Sequence, residues 1–150
     1  MTVERSASAA PAGTVLAFDY GTQRIGVAVG ETATAVAHPL VTLARRQANA
    51  LFERIAALVS EWHPALLLVG LPTHADGTPH AMTARARRFG EELRRRFAVP
   101  VAFADERFTT RNALSALRES GASPRARADA RDSVAAQIML QAYLDDRHAA

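Results

Sequence analysis

Three acidic residues stand where an ionised carboxylate is costly. Asp19 lies inside an otherwise apolar run, Glu106 comes just after another, and Asp132 heads the apolar stripe of a predicted C-terminal helix. Such a carboxylate needs a positive partner or a bound cation. Carboxylate oxygens suit Mg²⁺ or Mn²⁺, and two such ions about 3.5–4 Å apart can support phosphodiester hydrolysis. The sequence therefore indicates a metal-dependent site.

Each acid also has a purely structural interpretation. Asp19 can cap the turn at Gly21. Glu106 can form a weak surface ion pair with Arg107. Asp132 can favour the helix dipole from the first turn of its helix by ~0.3–1 kcal/mol. The residue types leave both interpretations open, and the surrounding strands and helices decide whether the carboxylates meet.

Apolar runs separated by turn residues predict five strands. The first two are joined by Gly21-Thr22-Gln23, a length typical of a hairpin turn. Pro39 in the third suits an edge strand, and the continuous apolar run of the fourth indicates a central strand buried on both faces. The predicted strands cover residues 14–20, 24–30, 33–43, 65–69 and 99–104.

Apolar residues at helical spacing predict four helices between and after these strands. They cover residues 47–61, 79–97, 109–119 and 129–146, with a polar loop predicted at 122–128. The small residues Ala135 and Ala136 would let the last helix approach a strand closely. The second helix is crowded with arginines, and the i,i+4 spacings of Glu91 with Arg95 and Glu92 with Arg96 favour a solvated, ion-paired face.

The connections between these elements predict an α/β fold. Short links make the first three strands antiparallel, and helical crossovers make the later ones parallel. The result is a five-stranded mixed sheet flanked by helices. Ligands gather at the carboxyl ends of parallel strands, and Asp19 and Glu106 both lie at such an end. Residues 1–13 read as a flexible tail, and residues 14–150 as one domain.

Composition excludes several classes of protein. The chain has 150 residues, 49% of them hydrophobic, and no cysteine, which rules out a disulfide framework and a thiolate metal site. No apolar run approaches the ~18 residues of a membrane span, and the first residues do not form a signal peptide. We therefore expect a cytoplasmic protein without a membrane partner. The formal charge of +3 permits a nucleic-acid partner without requiring one.

Four segments, in the right order, together resemble the YqgF (RuvX) family over about residues 14–146. Two residues depart from the family pattern: Tyr20 stands where a smaller residue is common, and His80 stands where glycine is expected. Neither position is one of the three acids. The matching segments are 16–29 (LAFDYGTQRIGVAV), 68–72 (LVGLP) with 76–78 (DGT), 105–110 (DERFTT) and 132–141 (DSVAAQIMLQ).

The resemblance implies a ribonuclease H-like fold and a Mg²⁺- or Mn²⁺-dependent endonuclease that matures the 5′ end of pre-16S rRNA. The family's acidic positions carry over to Asp19, Glu106 and Asp132. We expect a monomer or weak homodimer that binds structured RNA. Phosphate contacts are predicted for side chains close to the acids in sequence, namely Arg107, Thr109, Arg111 and Arg131.

Three alternatives remain at this point. The same fold and acids would serve a Holliday junction resolvase-like nuclease acting on branched DNA. The segment 19–22 (DYGT) also resembles the first phosphate loop of actin-like ATPases and sugar kinases, although a single domain of this length supplies only half of their nucleotide cleft. The third alternative is a non-catalytic RNA-binding module that keeps the fold.

Overall fold

The computed structural model describes residues 11–72, 81–105 and 124–149. The helix predicted at 109–119 lies outside these ranges, as do residues 1–10 of the predicted tail. In chain order, the described elements are β1 (Thr14–Tyr20), β2 (Arg24–Glu31), β3 (Val36–Ala44), α1 (Ala48–Trp62), β4 (Leu66–Leu71), α2 (Thr83–Arg96), β5 (Val101–Asp105) and α3 (Pro124–Ala149).

The five strands form one mixed sheet in the order β3-β2-β1-β4-β5. β1, β2 and β3 are antiparallel neighbours, whereas β4 runs parallel to both β1 and β5. This confirms the predicted strand directions. The prediction of an edge position for Pro39 is also confirmed, since β3 borders the sheet and its register shifts beside that residue.

The two faces of the sheet carry different cores. The face covered by α1 and α2 is filled by large side chains, including Leu16, Phe18 and Phe89. The face covered by α3 is lined by alanines of the strands together with Met139 and Leu140 of the helix. Because strand side chains alternate between faces, each residue of β1 can be assigned to one core or the other.

Every described element except β1 differs from its predicted bounds by one to five residues, and three of these differences have a visible cause. α3 begins at Pro124, so the loop predicted at 122–128 is wrong from residue 124 onward; proline is well tolerated in the first helical turn, where its missing N–H has no partner to lose. β3 begins three residues later than predicted, because Ala35 adopts a positive φ of 56° and its N–H closes a turn onto the carbonyl of Glu31. α1 ends one residue late, at Trp62, before a left-handed His63.

Candidate metal centre

Asp19 lies on the face of the sheet that α3 covers. Its neighbour two residues earlier in β1, Ala17, belongs to the core beneath that helix, and side chains two apart on a strand share a face. Across the hairpin, Asp19 is paired directly with Gly26 of β2. Asp19 is half-buried and has interaction partners in the fold.

The backbone of α3 lies against the sheet at Asp132, where Gly26 leaves room for it. A Cβ atom at Gly26 would lie 1.9 Å from the carbonyl oxygen of Asp132 and 2.8 Å from the backbone nitrogen of Ser133. No side chain fits that space. Since directly paired strand residues have their Cα atoms about 4.5–5.5 Å apart, Asp19 and Asp132 are neighbours at one end of this face, although 113 residues of sequence separate them.

Arg24 neutralises the Asp132 carboxylate. Its Nε atom donates a hydrogen bond to Oδ2 of Asp132 over 2.9 Å, and the two side chains are 36% and 19% exposed. Arg24 stands two residues before Gly26 in β2, so both face α3. Sequence reasoning missed this residue. The signal in the sequence is that Arg24 lies two positions before Gly26, so the two share a face of β2. That this face carries Asp132 follows only from the structure.

Asp132 is not a first-turn residue of its helix. α3 begins at Pro124, which places Asp132 more than two turns inside. The macrodipole acts mainly within the first turn, so the structural interpretation of Asp132 as a dipole-compensating acid is wrong. The apolar residues predicted to share its stripe, Ala136, Met139 and Tyr143, are all buried, as expected.

The third predicted acid lies beyond the described part of the chain. Asp105, the last residue of β5, pairs with Leu71, and alternation puts it on the α1 and α2 face with Phe103. Asp105 therefore does not share a face with Asp19. Within the described ranges no group of three potential metal ligands occurs, and Arg131, beside Asp132, is half-buried. The predicted residues outside the described ranges are Glu106, Arg107, Thr109 and Arg111.

The arginines of α2 fall into two groups. Those of its last turn form ion pairs: Arg94 with Glu91, and both Arg95 and Arg96 with Glu92. The predicted pair of Glu92 with Arg96 is thus confirmed, whereas Arg95 bonds Glu92 rather than Glu91. The hydrogen bond from Arg96, with the charge of Arg95, lowers the pKa of Glu92 below its usual value. Two arginines of the first half line a groove with aromatic side chains.

None of the described helices combines the length and apolar character needed to cross a membrane.

Curated relatives match nearly the whole chain. A protein of Dechloromonas aromatica named "Putative pre-16S rRNA nuclease" is 53% identical over 136 residues, covering 91% of this chain and 93% of the relative. A protein of Nitrosomonas europaea with the same name is 50% identical, covering 95% and 97%. Both identities far exceed the level at which a common family is secure.

The fold and the family are shown by two further comparisons. The Thermus thermophilus RuvC structure in complex with a Holliday junction substrate matches with a TM-score of 0.52 and 19% identity, covering 91% of this chain and 96% of that one. This confirms the predicted ribonuclease H-like fold. The model of the RuvX family, described as Holliday junction resolvase, matches residues 13–146. The predicted resemblance is confirmed, and the chain belongs to the RuvX family.

Proposed function

We propose that this chain is a divalent-metal-dependent endonuclease that processes the 5′ end of precursor 16S rRNA in the cytoplasm. The observation that carries the proposal is that Gly26 pairs with Asp19 across the hairpin and also contacts the backbone of Asp132. Two carboxylates from distant parts of the sequence share one end of one face. The names of the curated relatives support precursor 16S rRNA as the substrate.

The residues at this place fit a cation. Asp132 already attracts a positive group, the guanidinium of Arg24, and carboxylate oxygens are the ligands that Mg²⁺ and Mn²⁺ prefer. We propose Glu106 as the third ligand, since it directly follows β5 in the sequence, and Ala102 and Ala104 of that strand belong to the α3 face. Two bound ions would supply Lewis acidity for phosphodiester hydrolysis.

The protein side chains have separate tasks in this proposal. Asp19 and Asp132 hold the cations on rigid elements, a central strand and the interior of a long helix. Arg24 neutralises the Asp132 carboxylate through its hydrogen bond to Oδ2, so its charge opposes that of a bound cation. Arg131 lies one residue before Asp132, where its charge suits a phosphate of the RNA backbone. Arg107, Thr109 and Arg111 are assigned the same task from their places in the sequence.

Asp19→Asn tests the proposal. It keeps the size of the side chain but removes the charge, so we expect cleavage of precursor 16S rRNA in Mg²⁺ to fall by about a thousandfold or more, several kcal/mol in the barrier. Circular dichroism and the thermal midpoint should be nearly unchanged. Glu53→Gln on α1 is a matched control, because it removes one exposed carboxylate from the opposite face. Normal cleavage by Asp19→Asn would contradict the proposal and favour a non-catalytic RNA-binding protein.

A second candidate substrate is branched DNA, favoured by the description of the RuvX family as a Holliday junction resolvase. Both substrates would use the same acids. Cleavage of a four-way DNA junction and of precursor 16S rRNA should therefore be measured side by side with the same enzyme and Mg²⁺ concentration. We expect faster cleavage of the RNA, and the reverse order would assign the chain to junction resolution.

A further inference from the structure

A groove of about 350 Å³ opens on the face of the sheet opposite to the acids. Its size lies at the lower end of the range of small-molecule sites. It runs between β1, α1 and α2, and no task assigned to the α3 face uses it. Its chemically distinctive lining residues are three arginines and three aromatic side chains: Tyr20, Arg45, Phe52, Arg85, Arg88 and Phe89.

The groove carries excess positive charge. Arg85 and Arg88 stand one turn apart on α2, both exposed, and neither forms an ion pair among the described residues. The one acid of the lining, Glu92, is already bonded to Arg95 and Arg96. Its negative charge therefore does not offset that of the groove arginines, and an anion is the favoured occupant.

Arg45 is fixed in place before any ligand arrives. Its guanidinium carbon lies 4.3 Å from the centre of the Tyr20 ring. Its Nη1 atom donates hydrogen bonds to the carbonyl oxygens of Gly21 and Thr22 over 2.7 and 2.5 Å. A guanidinium plane held in this way can stack on a base or meet a phosphate without losing much further freedom.

Aromatic rings supply the second half of a nucleotide site. Tyr20 and Phe52 both contact the buried Phe89, with ring centroids 5.0 and 6.0 Å away. Tyr20 and Phe52 are half-buried and line the groove, and the guanidinium groups of Arg45 and Arg96 lie over their rings, 4.3 and 4.2 Å from the ring centres. Flat rings beside unpaired arginines match the flat base and charged phosphate of a nucleotide. An acidic peptide would use the arginines but not the rings.

The groove and the proposed cleavage site lie on opposite faces of the sheet at the same end of β1. Asp19 and Tyr20 are consecutive, so their side chains point to opposite faces of the sheet at the same place. We infer that the groove binds a nucleotide of single-stranded RNA that flanks the scissile bond held on the other face. This inference rests on the proposed function, because it takes the bound RNA to be the substrate of the nuclease. RNA binding can nevertheless be measured without cleavage.

The test is equilibrium binding of a fluorescent oligouridine in EDTA, where metal-dependent cleavage is absent. The double variant Arg85→Ala/Arg88→Ala should weaken binding at least about tenfold and flatten the slope of log K against log salt by about 0.7 for each lost phosphate contact. Tyr20→Leu, which keeps apolar volume but removes the ring, should weaken binding by about tenfold. Tyr20→Phe should bind nearly as wild type.

The control is Arg54→Ala/Arg94→Ala, which removes the same charge from exposed positions outside the groove lining. Equal weakening by the control and the groove variant would overturn the inference, as would normal binding by Tyr20→Leu. Competition by oligoglutamate as effective as that by unlabelled oligouridine would reassign the groove to acidic peptides. Equally effective competition by ATP would reassign it to a free nucleotide. Because binding in EDTA is measured without cleavage, loss of cleavage and loss of oligouridine binding are separate results, and either proposal can fail without the other.

Discussion

The two faces of the sheet use opposite packing to build their sites. On the α3 face the strands present several alanines and glycines beside Val15, Leu66 and Leu68, and the carbonyl of Asp132 packs directly against Gly26. On the other face large side chains, including Leu16, Phe18 and Phe89, fill the core under α1 and α2, and a groove remains beside Tyr20. On the α3 face, close packing fixes the backbone of Asp132 near Asp19. On the face under α1 and α2, a groove leaves room for a ligand.

The comparison teaches that small residues can be part of an active site without any chemistry of their own. Gly26 contacts no substrate, yet its missing side chain sets where Asp132 stands relative to Asp19. The other face has no such constraint at Arg85 and Arg88, whose exposed side chains reach the groove on long flexible stems. The more closely constrained positions thus lie on the face that we propose for catalysis.

Gly26→Ala should have the largest effect, on both the stability of the α3 face and cleavage. Its new Cβ atom would meet helix backbone, which cannot rotate away, so we expect the free energy of unfolding to fall by more than about 3 kcal/mol. Cleavage should also be lost at temperatures where the variant remains folded, because Asp132 must move. Chemical denaturation and cleavage of precursor 16S rRNA measure the two effects.

Gly90→Ala is the matched change on the other face. Its Cβ atom would meet the ring of Phe103 at 2.4 Å, and alanine regains about 1 kcal/mol of helix propensity, so a loss of only about 1–2 kcal/mol is expected. Cleavage by the folded protein should persist. If Gly90→Ala instead abolished cleavage and Gly26→Ala did not, the assignment of catalysis to the α3 face would be wrong.

Arg24→Ala should produce smaller effects of opposite sign on stability and on metal binding. Loss of a half-exposed ion pair should lower the free energy of unfolding by about 0.5 kcal/mol. Removal of a positive charge beside Asp132 should tighten Mn²⁺ binding by about fivefold, equivalent to about 1 kcal/mol. Arg24→Lys should restore values near those of the wild type. Weaker Mn²⁺ binding by Arg24→Ala would mean that Arg24 mainly positions the carboxylate.

Much of the fold could be predicted from the sequence, because local patterns determine it. The apolar runs predict the strands, the three-residue link at 21–23 predicts the hairpin, and the continuous run of β4 indicates its central place. The start of α3 could not be predicted in the same way. Residues 124–128 combine proline, arginine and alanine, a composition compatible with a polar loop and with the first turn of a helix.

The site was predicted less completely than the fold. The unfavourable settings of Asp19 and Asp132 were visible in the sequence, and the structure places both on the α3 face. Arg24 was missed, since its partner lies 108 residues away and a surface arginine carries no local signal. The groove was missed for a similar reason: the arginines of α2 looked alike until ion pairs separated Arg94, Arg95 and Arg96 from the rest.

The central claim is that Asp19 and Asp132 hold divalent cations, and calorimetric titration with Mn²⁺ tests it most directly. The wild-type protein and the control Glu53→Gln should give the same saturable isotherm. Asp19→Asn and Asp132→Asn should each weaken binding by at least about tenfold, because each removes a direct ligand. Unchanged Mn²⁺ affinity in both variants would contradict the claim.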